Sequence, residues 1–402
     1  MSASARIALP GEVRLNALPP LALYLHLPWC VRKCPYCDFN SHERSGELPE
    51  GEYVDALIAD LEELLASIWG RRIVSVFIGG GTPSLFSPDS IDRLLSAMRA
   101  RIAIVPDAEV TLEANPGTAE AGRFAGYRAA GVNRLSLGVQ SFDDAMLGAL
   151  GRIHSAAEAR AAIELAQRHF DDVNLDLMYG LPGQSLEMAR ADIAEAIGCR
   201  TTHLSAYQLT IEPNTAFHRR PPVLPEHDAC ADMQLALEEA LGAAGFEHYE
   251  TSAFARPGRR CRHNLNYWEF GDYAGLGAGA HGKVSFPDRV TRHERAKQPR
   301  EYLAAPGRAQ LRVVPPSELP FEFMLNALRL IEGFAPALFV ERAGLPLSGI
   351  DDALSAAESR GLLSRDAQRI RPTERGRLFL NELFELFLPA AKQKVVHRVS
   401  QA

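Results

Sequence analysis

Short apolar runs alternate with longer amphipathic stretches between about residue 21 and residue 210. Six runs have the length and composition of buried strands, at 21–26, 73–78, 109–114, 133–139, 173–178 and 203–209. Between them, as at 53–68, 90–102 and 155–170, apolar residues recur every three or four positions, which predicts helices. This alternation predicts parallel strands joined by right-handed helical crossovers, either in an open sheet or in a barrel.

Polar and glycine residues stand at or near the carboxyl ends of these predicted strands. Gly79 to Thr82 follow the second strand, Glu113 lies in the third, Gln140 follows the fourth and Asp176 lies in the fifth. In a β/α barrel the carboxyl ends of the strands converge on one mouth. We therefore expect an α/β fold, an incomplete (β/α)6 barrel whose missing units leave an opening at the side.

The second half of the chain has a different pattern of apolar residues, prolines and glycines. Prolines and glycines interrupt 211–310, where only 228–244 predicts a helix, so this segment is expected to extend the barrel. Helical patterns at 321–331, 336–343, 350–360 and 374–388, with two short runs at 362–364 and 369–371, predict a winged-helix-like α+β domain. The expected division is an N-terminal segment (1–20), the barrel (21–210), the extension (211–310), the winged-helix-like domain (311–390) and a tail (391–402).

Composition and charge narrow the functional classes. The chain has 402 residues, 47% apolar and 23% charged, as folded globular proteins do, and a net charge of −7. That charge argues against nucleic acid as a partner, and acidic residues interleave with the arginines of the expected wing, which favours a solvated face. There is no secretion signal and no apolar run long enough to span a membrane, so we expect a cytoplasmic protein.

Three cysteines lie within eight positions, directly after the first predicted strand: Cys30, Cys34 and Cys37. Three thiolates on one short loop can bind three irons of a [4Fe-4S] cluster and leave the fourth iron open to another ligand. Zinc is the alternative metal, but a closed zinc site usually takes four ligands, and no second cysteine loop is evident. Three buried structural cysteines are the alternative without metal. The spacing favours the cluster.

The pattern Cys-x3-Cys-x2-Cys, with Tyr36 before the last cysteine, resembles the radical S-adenosylmethionine superfamily. The resemblance implies that S-adenosylmethionine binds the open iron and that one-electron reduction cleaves it to a 5′-deoxyadenosyl radical. The glycine run at 79–81 permits close backbone approach by a ligand. Its position one βα unit later is similar to the motif with which this superfamily binds the methionyl amine.

Five segments together resemble the oxygen-independent coproporphyrinogen III oxidase family, at 25–30, 79–83, 112–116, 137–142 and 176–184. This resemblance extends from about residue 21 to the winged-helix region. It implies that the residues binding S-adenosylmethionine are Tyr24, Tyr36, Gly80, Gly81, Thr82, Glu113, Gln140, Arg152 and Asp176. From the residues alone, Glu113 and Asp176 could instead be salt-bridge partners inside the barrel.

Two departures from the oxidase pattern point to its HemW-type heme chaperone branch. The oxidase has a further cysteine two residues after the third cluster ligand, where this chain has Phe39, and it has a longer segment before the first strand. Residues 263–268 agree with that branch, because His263, Asn264, Tyr267 and Trp268 match its His-Asn-x-x-Tyr-Trp motif, which is associated with heme binding. A neutral imidazole can bind iron, and the two aromatic rings offer flat apolar area.

The alternative for this motif is a packed aromatic corner with a satisfied histidine. The glycine-rich run at 275–281 resembles a dinucleotide fingerprint but lacks the flanking strand and helix, so we expect a close-approach loop near the barrel mouth. His281 at its end is a further candidate ligand. Cys199, Cys230 and Cys261 show no ligand spacing, although Cys261 stands two residues before His263.

The resemblance implies a protein that binds heme and transfers it to acceptor proteins, with a [4Fe-4S] cluster and S-adenosylmethionine as cofactors and without a catalytic residue of its own. A homodimer and peripheral contact with a membrane are compatible with this function. One alternative is a radical oxidase that decarboxylates coproporphyrinogen III, against which Phe39 argues. Another is a transcriptional regulator with the cluster as its sensor, against which the net charge argues.

Overall fold

The computed structural model describes residues 12–117 and 121–389. The first part of the expected N-terminal segment and the whole of the expected tail at 391–402 lie outside the described residues. In the described part of the chain, no helix is both long enough and apolar enough to cross a membrane.

The strands, numbered in chain order, account for all six predicted ones and add several more. They are β1 (Leu21–Leu27), β2 (Trp29–Cys30), β3 (His42–Glu43), β4 (Ile73–Gly80), β5 (Ile104–Ala114), β6 (Arg134–Gln140), β7 (Val173–Tyr179), β8 (His203–Gln208), β9 (Glu247–Glu250), β10 (Ala253–Ala255), β11 (Asp272–Leu276), β12 (His281–Phe286), β13 (Arg289–Arg295), β14 (Ala309–Val313), β15 (Leu363–Arg365) and β16 (Ile370–Pro372).

The described helices connect these strands and form most of the C-terminal region. They are α1 (Glu50–Ile68), α2 (Pro88–Arg101), α3 (Phe124–Ala130), α4 (Asp144–Ala149), α5 (Ala156–His169), α6 (Leu186–Gly198), α7 (Ala216–Arg219), α8 (His227–Ala243), α9 (Arg262–Trp268), α10 (Pro299–Ala304), α11 (Leu319–Ala327), α12 (Pro336–Ala343), α13 (Asp351–Ser359), α14 (Glu374–Leu378) and α15 (Leu380–Glu385). Two short 3₁₀ helices lie at Pro83–Leu85 and Leu347–Ile350.

One twelve-stranded sheet organises the molecule, in the order β14-β13-β12-β11-β1-β4-β5-β6-β7-β8-β10-β9. Strands β1 and β4 to β8 pair in parallel, as the βα alternation predicts. The α/β fold with an incomplete barrel is therefore confirmed. The segment at 211–310 is more regular than its glycines and prolines suggest, because β11 pairs in parallel with β1, and β9, β10 and β12 to β14 complete the two edges.

The barrel strands are buried because helices cover the outer face of the parallel sheet. In α1, the side chains of Tyr53, Leu57 and Leu61 form the stripe that packs on the sheet. Helix α5 begins with a capping box, in which the Ser155 side chain accepts from the N–H of Glu158 and the Glu158 side chain accepts from Ser155. These local signals explain why the barrel helices begin close to the predicted positions.

The C-terminal region forms a second core around α11 to α15 and the small β15–β16 sheet. Four residues from outside this region belong to the same core: Val13, Leu15, Phe270 and Val290. The helix predicted at 374–388 is divided into α14 and α15, because the backbone of Phe379 leaves helical geometry at φ −114° and ψ 44°. Leu383 and Phe384 then reach the core from the second of the two short helices.

A buried cluster of charges joins the barrel to the strands added at its edge. Asp272, at the start of β11, accepts from Arg71 at 2.7 Å and from Lys283 at 2.8 Å, and both N–H and hydroxyl of Ser285 donate to it. Burial alone would raise the pKa of Asp272, but Lys283 and Arg71 outweigh burial and lower it. The Asp272 carboxylate is therefore ionised and fully paired in the folded state.

We expect Asp272→Asn to lower the free energy of unfolding by about 3–5 kcal/mol, because it leaves the buried Lys283 without its partner. Denaturant titration followed by circular dichroism measures this change. The pKa of Asp272 is lower in the folded protein than in the unfolded chain. The ionised carboxylate therefore stabilises the fold fully at pH values above its pKa in the unfolded chain. This stabilisation is lost as the pH falls through the pKa of the folded protein.

The matched control is Asp55→Asn, which breaks the exposed pair between Asp55 and Arg93. Exposed pairs contribute about 0–1 kcal/mol, so this variant should unfold close to the wild type. Equal effects of the two substitutions would contradict a structural role for the buried cluster.

Candidate functional site

A cavity of about 390 Å³ lies at the carboxyl ends of the barrel strands. It brings together the three cysteines of the predicted cluster loop and most of the residues predicted to bind S-adenosylmethionine. Those that line it are Cys30, Cys34, Cys37, Tyr36, Gly80, Gly81, Thr82, Glu113, Gln140, Arg152 and Asp176. Convergence of strand ends on one mouth is what the βα pattern predicted.

The cysteine loop is held by hydrogen bonds at both of its ends. The N–H of Cys37 donates to the carbonyl of Cys34 at 3.1 Å, which closes a turn between two of the thiols. The Lys33 ammonium donates to the carbonyls of Phe39 and Ser41 at 3.1 and 3.2 Å. Burial raises the pKa values of the Cys30 and Cys37 thiols, so a metal bound there would have to displace their protons.

Arg152 joins the cysteine loop to the barrel interior. Its guanidinium donates to Sγ of Cys34 at 3.5 Å, to Oδ1 of Asn115 at 2.7 Å and to the carbonyl of Gly138 at 2.8 Å. Asn115 in turn donates to the hydroxyl of Thr82 at 3.1 Å. The strand-end residues thus form one connected rim.

Two backbone conformations at the strand ends are uncommon. Gly80 has φ +122°, and a Cβ atom at Gly81 would collide with the backbone of Pro28 and Trp29. Gln140 is not glycine yet has φ +71°, in the left-handed region. Strained residues of this kind persist where the surrounding structure enforces them, and they cluster at functional sites.

Two half-buried carboxyl groups, those of Glu113 and Asp176, line this cavity. Burial, and after it the nearby Asp176, raise the pKa of Glu113 to about 8, although the N–H of Gly80, which donates to Glu113 at 3.1 Å, acts in the opposite direction. Burial also raises the pKa of Asp176, which accepts from Ser136 at 2.9 Å and from Asn174 at 2.9 Å. Neither carboxyl group has a salt-bridge partner among the described residues, so both are available to a cationic ligand.

A second cavity, of about 660 Å³, adjoins the first one. His263, Asn264, Tyr267 and Trp268 all line it, so the structure brings the whole predicted heme motif to one place. Tyr24 lines this second cavity and not the first. The residues lining both cavities, which we call the shared wall, are Cys37, Asp38, Phe39, Gly80 and Glu113.

His263 lies on the inner side of the barrel and is only 4% exposed. Its ring packs 5.0 Å from that of Phe77 and 6.4 Å from that of Tyr24, measured between centroids. Burial lowers its pKa to about 4, so the imidazole is neutral at physiological pH. His281, the other candidate ligand, is an exposed residue that lines the same cavity, and its Nε2 lies 3.7 Å from Oε1 of Glu294.

The sequence pattern missed several residues of this site. Phe77 and Asn115 lie inside motifs that the sequence analysis identified, but it assigned no role to either residue. Their positions near strand ends could have pointed to the site. Tyr207 lies near the end of the sixth barrel strand, β8, and also lines the first cavity. Ser75 and Glu109 contact the His263 segment from two neighbouring strands, and no local pattern marks them.

Comparison with known proteins identifies the family. Residues 24–196 match the Radical SAM superfamily and residues 314–379 match the HemN C-terminal domain. Heme chaperone HemW of Escherichia coli (strain K12) is 51% identical to this chain over 376 residues, which are 92% of this chain and 99% of that protein. The chain belongs to the HemW family of heme chaperones.

A second HemW relative and one solved structure agree. Heme chaperone HemW of Haemophilus influenzae is 49% identical over 377 residues, 92% of this chain and 98% of that protein. The structure of coproporphyrinogen III oxidase (HemN) from Escherichia coli has a TM-score of 0.78 to this one, at 22% identity, covering 92% of this chain and 90% of that chain. That likeness shows that the HemW family shares the fold of the oxidase.

Membership of the radical SAM superfamily implies a [4Fe-4S] cluster and S-adenosylmethionine, and the first cavity of this HemW-family chain fits both. Three thiols line it, and a cubane cluster takes each thiolate on a different iron. Among the described residues no three His, Cys, Asp or Glu side chains are placed to hold a single metal ion. The half-buried carboxyl groups of Glu113 and Asp176 suit a ligand that carries positive charge.

We expect Cys34→Ala to abolish the iron-sulfur absorbance of the anaerobically reconstituted protein, because it removes one of the three thiolates. Two signals, both roughly proportional to cluster content, measure this loss. They are the absorbance between about 350 and 450 nm and the electron paramagnetic resonance of the reduced protein. The control is Cys199→Ala, because Cys199 lines neither cavity. Full cluster content in Cys34→Ala would rule out the predicted loop.

We also expect binding of S-adenosylmethionine to release protons near neutral pH. The pKa of Glu113 is about 8, so its carboxyl group is mostly protonated at pH 7, and a cationic sulfonium favours the carboxylate. Calorimetric titration in phosphate and in Tris buffers measures the release as a difference in observed enthalpy. Glu113→Gln should remove most of this difference, and a wild-type enthalpy that does not vary with buffer would contradict the expectation.

Proposed function

We propose that this protein is a heme chaperone that binds heme in the second cavity and transfers it to acceptor proteins. The observation that carries the proposal is the convergence of His263, Tyr267 and Trp268 on a cavity that shares a wall with the cysteine-lined cavity. The HemW relatives, which are named heme chaperones, support the same function at 51% and 49% identity.

The residues of the second cavity have chemistry that suits a porphyrin. A neutral imidazole such as that of His263 can bind iron. Tyr267 stacks on Tyr273, with ring centroids 4.0 Å apart, and this pair stiffens one flat aromatic side of the cavity. The indole Nε1 of Trp268 is buried and has no hydrogen-bond partner among the described residues.

In this proposal Cys30, Cys34 and Cys37 hold the cluster, and the strand-end residues around Glu113 and Asp176 bind S-adenosylmethionine. The cluster and S-adenosylmethionine together can supply one-electron radical chemistry. The role we assign to this chain's own residues is structural: Arg152 and the Lys33 bonds hold the loop, and the shared wall connects it to the heme cavity. No residue of the chain is proposed to act as a catalyst.

The alternative function is oxidation of coproporphyrinogen III, and it is not favoured. HemW relatives cover nearly the whole chain at about half identity, whereas the oxidase of known structure is only 22% identical. Phe39 occupies the position of the oxidase's further cysteine and is 61% exposed, so it offers an apolar ring at the shared wall in place of a thiol.

Three further features belong to this proposal. Heme-acceptor proteins are the partners, and delivery to acceptors in a membrane would require only peripheral contact. We infer a cytoplasmic location, and the chain could act as a homodimer. Nucleic acid is not expected to be a partner, since Arg365 of the small sheet is engaged by Asp351 and Glu358.

The test is a heme titration of the anaerobically reconstituted protein, run in parallel with an assay of coproporphyrinogen III conversion in the presence of S-adenosylmethionine and a reductant. We expect stoichiometric heme binding and no vinyl-bearing product. His263→Ala should weaken heme binding by at least about 10-fold, equivalent to about 1.4 kcal/mol, and leave the cluster absorbance unchanged.

The control variant is His218→Ala, since His218 is an exposed histidine outside both cavities. Unaltered heme affinity in His263→Ala would remove His263 as the ligand. Formation of a vinyl-bearing product would overturn the chaperone function in favour of the oxidase.

A further inference from the structure

The helix that carries the heme motif is held by the barrel and not by a cap of its own. Helix α9 begins after Cys261, and no side chain of this segment caps it. The carboxylate of Glu109 on β5 caps the helix instead. It accepts from the N–H of Arg262 at 2.8 Å and from the N–H of His263 at 3.0 Å. The thiol of Cys261 donates to the same carboxylate at 3.3 Å.

The ring of His263 is held by the neighbouring strand. Its Nδ1 lies 3.1 Å from the hydroxyl oxygen of Ser75 on β4. Ser75 and Glu109 are paired in the register of β4 and β5, so the two residues stand side by side on the sheet. One pair of adjacent positions therefore fixes both the backbone and the imidazole of His263.

The second ring nitrogen of His263 is uncommitted. Among the described residues Nε2 has no hydrogen-bond partner, and the residue lines the second cavity. Iron binds through a nitrogen lone pair, so a neutral imidazole that binds iron through Nε2 must carry its proton on Nδ1. The Ser75 oxygen is then the acceptor of that proton's hydrogen bond.

We propose that Ser75 and Glu109 are positioning residues for the heme ligand: Glu109 fixes the place of His263, and Ser75 fixes its ring orientation and the tautomer that leaves Nε2 free for iron. This inference rests on the proposed heme-binding function. Hydrogen-bond partners of a ligating histidine orient the ring and raise its basicity, and their loss typically weakens metal affinity by about 10- to 100-fold.

The place of Glu109 in the interior supports this role. The carboxylate is buried, and the guanidinium of Arg134 lies close enough to influence both Cys261 and His263 electrostatically. This carboxylate accepts from two N–H groups at the start of α9 and from the thiol of Cys261. It therefore provides a rigid anchor on a strand, which positions a ligand more sharply than a loop can.

The experiment compares Ser75→Ala with Ser75→Thr, which retains the hydroxyl, and with Thr111→Val. Thr111 is a matched control, because it lies two positions beyond Glu109 on β5 and its buried hydroxyl has no hydrogen-bond partner among the described residues. Heme affinity of each reconstituted variant is measured by titration. The iron–histidine stretching frequency is measured by resonance Raman spectroscopy of the reduced, heme-loaded protein.

We expect Ser75→Ala to weaken heme binding by about 10-fold and to lower the iron–histidine frequency, because the ligand loses the acceptor at Nδ1. Ser75→Thr should restore much of the heme affinity and of the iron–histidine frequency, and Thr111→Val should change neither quantity. Glu109→Gln, which keeps the shape of the side chain, should also weaken heme binding. Cluster absorbance serves to verify that each variant is folded.

Two failures can be told apart in this design. If His263→Ala binds heme as the wild type does, the proposed heme site itself is wrong. If His263→Ala loses heme but Ser75→Ala keeps wild-type affinity and an unchanged iron–histidine frequency, the positioning role is overturned while the proposed function stands.

Discussion

The arrangement of both cavities depends on the buried carboxylate of Asp272. It binds Arg71, which precedes β4, and Lys283 of β12, so it joins the barrel to the strands added at its edge. The side-chain amide of Asn266 in α9 donates to the backbone carbonyl of Asp272 at 2.9 Å. The helix with the heme motif is thereby tied to the seam between β11 and β1. Because the cysteine loop follows β1, Asp272 connects the elements that carry the two halves of the site.

The interior of this barrel is polar, and a barrel can tolerate that only where the polar groups are paired. Asn174 donates to Asp176 and accepts from His203, and His203 lies 2.8 Å from the hydroxyl of Tyr249. The N–H of Cys261 donates to Tyr249 at 3.3 Å. A continuous chain of hydrogen bonds therefore runs from the strand-end carboxyl group to the start of α9. It makes the interior a rigid support for both cavities.

Much of the fold could be predicted from local pattern, and the remainder could not, for physical reasons. The six barrel strands are buried runs between amphipathic helices, and their pattern is unambiguous. In contrast, β11 has the sequence Asp-Tyr-Ala-Gly-Leu, and β13 carries charged residues such as Arg292 and Glu294. Pairing stabilises these strands, β11 with β1 and β12, and β13 with β12 and β14, and a local pattern does not contain that information. Ser75 and Glu109 were missed for the same reason, since only the register places them together.

If the two ligands bind as proposed, the shared wall links binding in one cavity to binding in the other. Glu113 lines both, so a cation that ionises it in the first cavity places a negative charge at the edge of the second. Phe39 also lines both, so a flat ligand in the second cavity packs against a residue of the cysteine loop. Linkage is reciprocal: whatever S-adenosylmethionine does to heme affinity, heme does to the affinity for S-adenosylmethionine. A scaffold built for radical chemistry can in this way regulate the binding of a cargo without reacting with it.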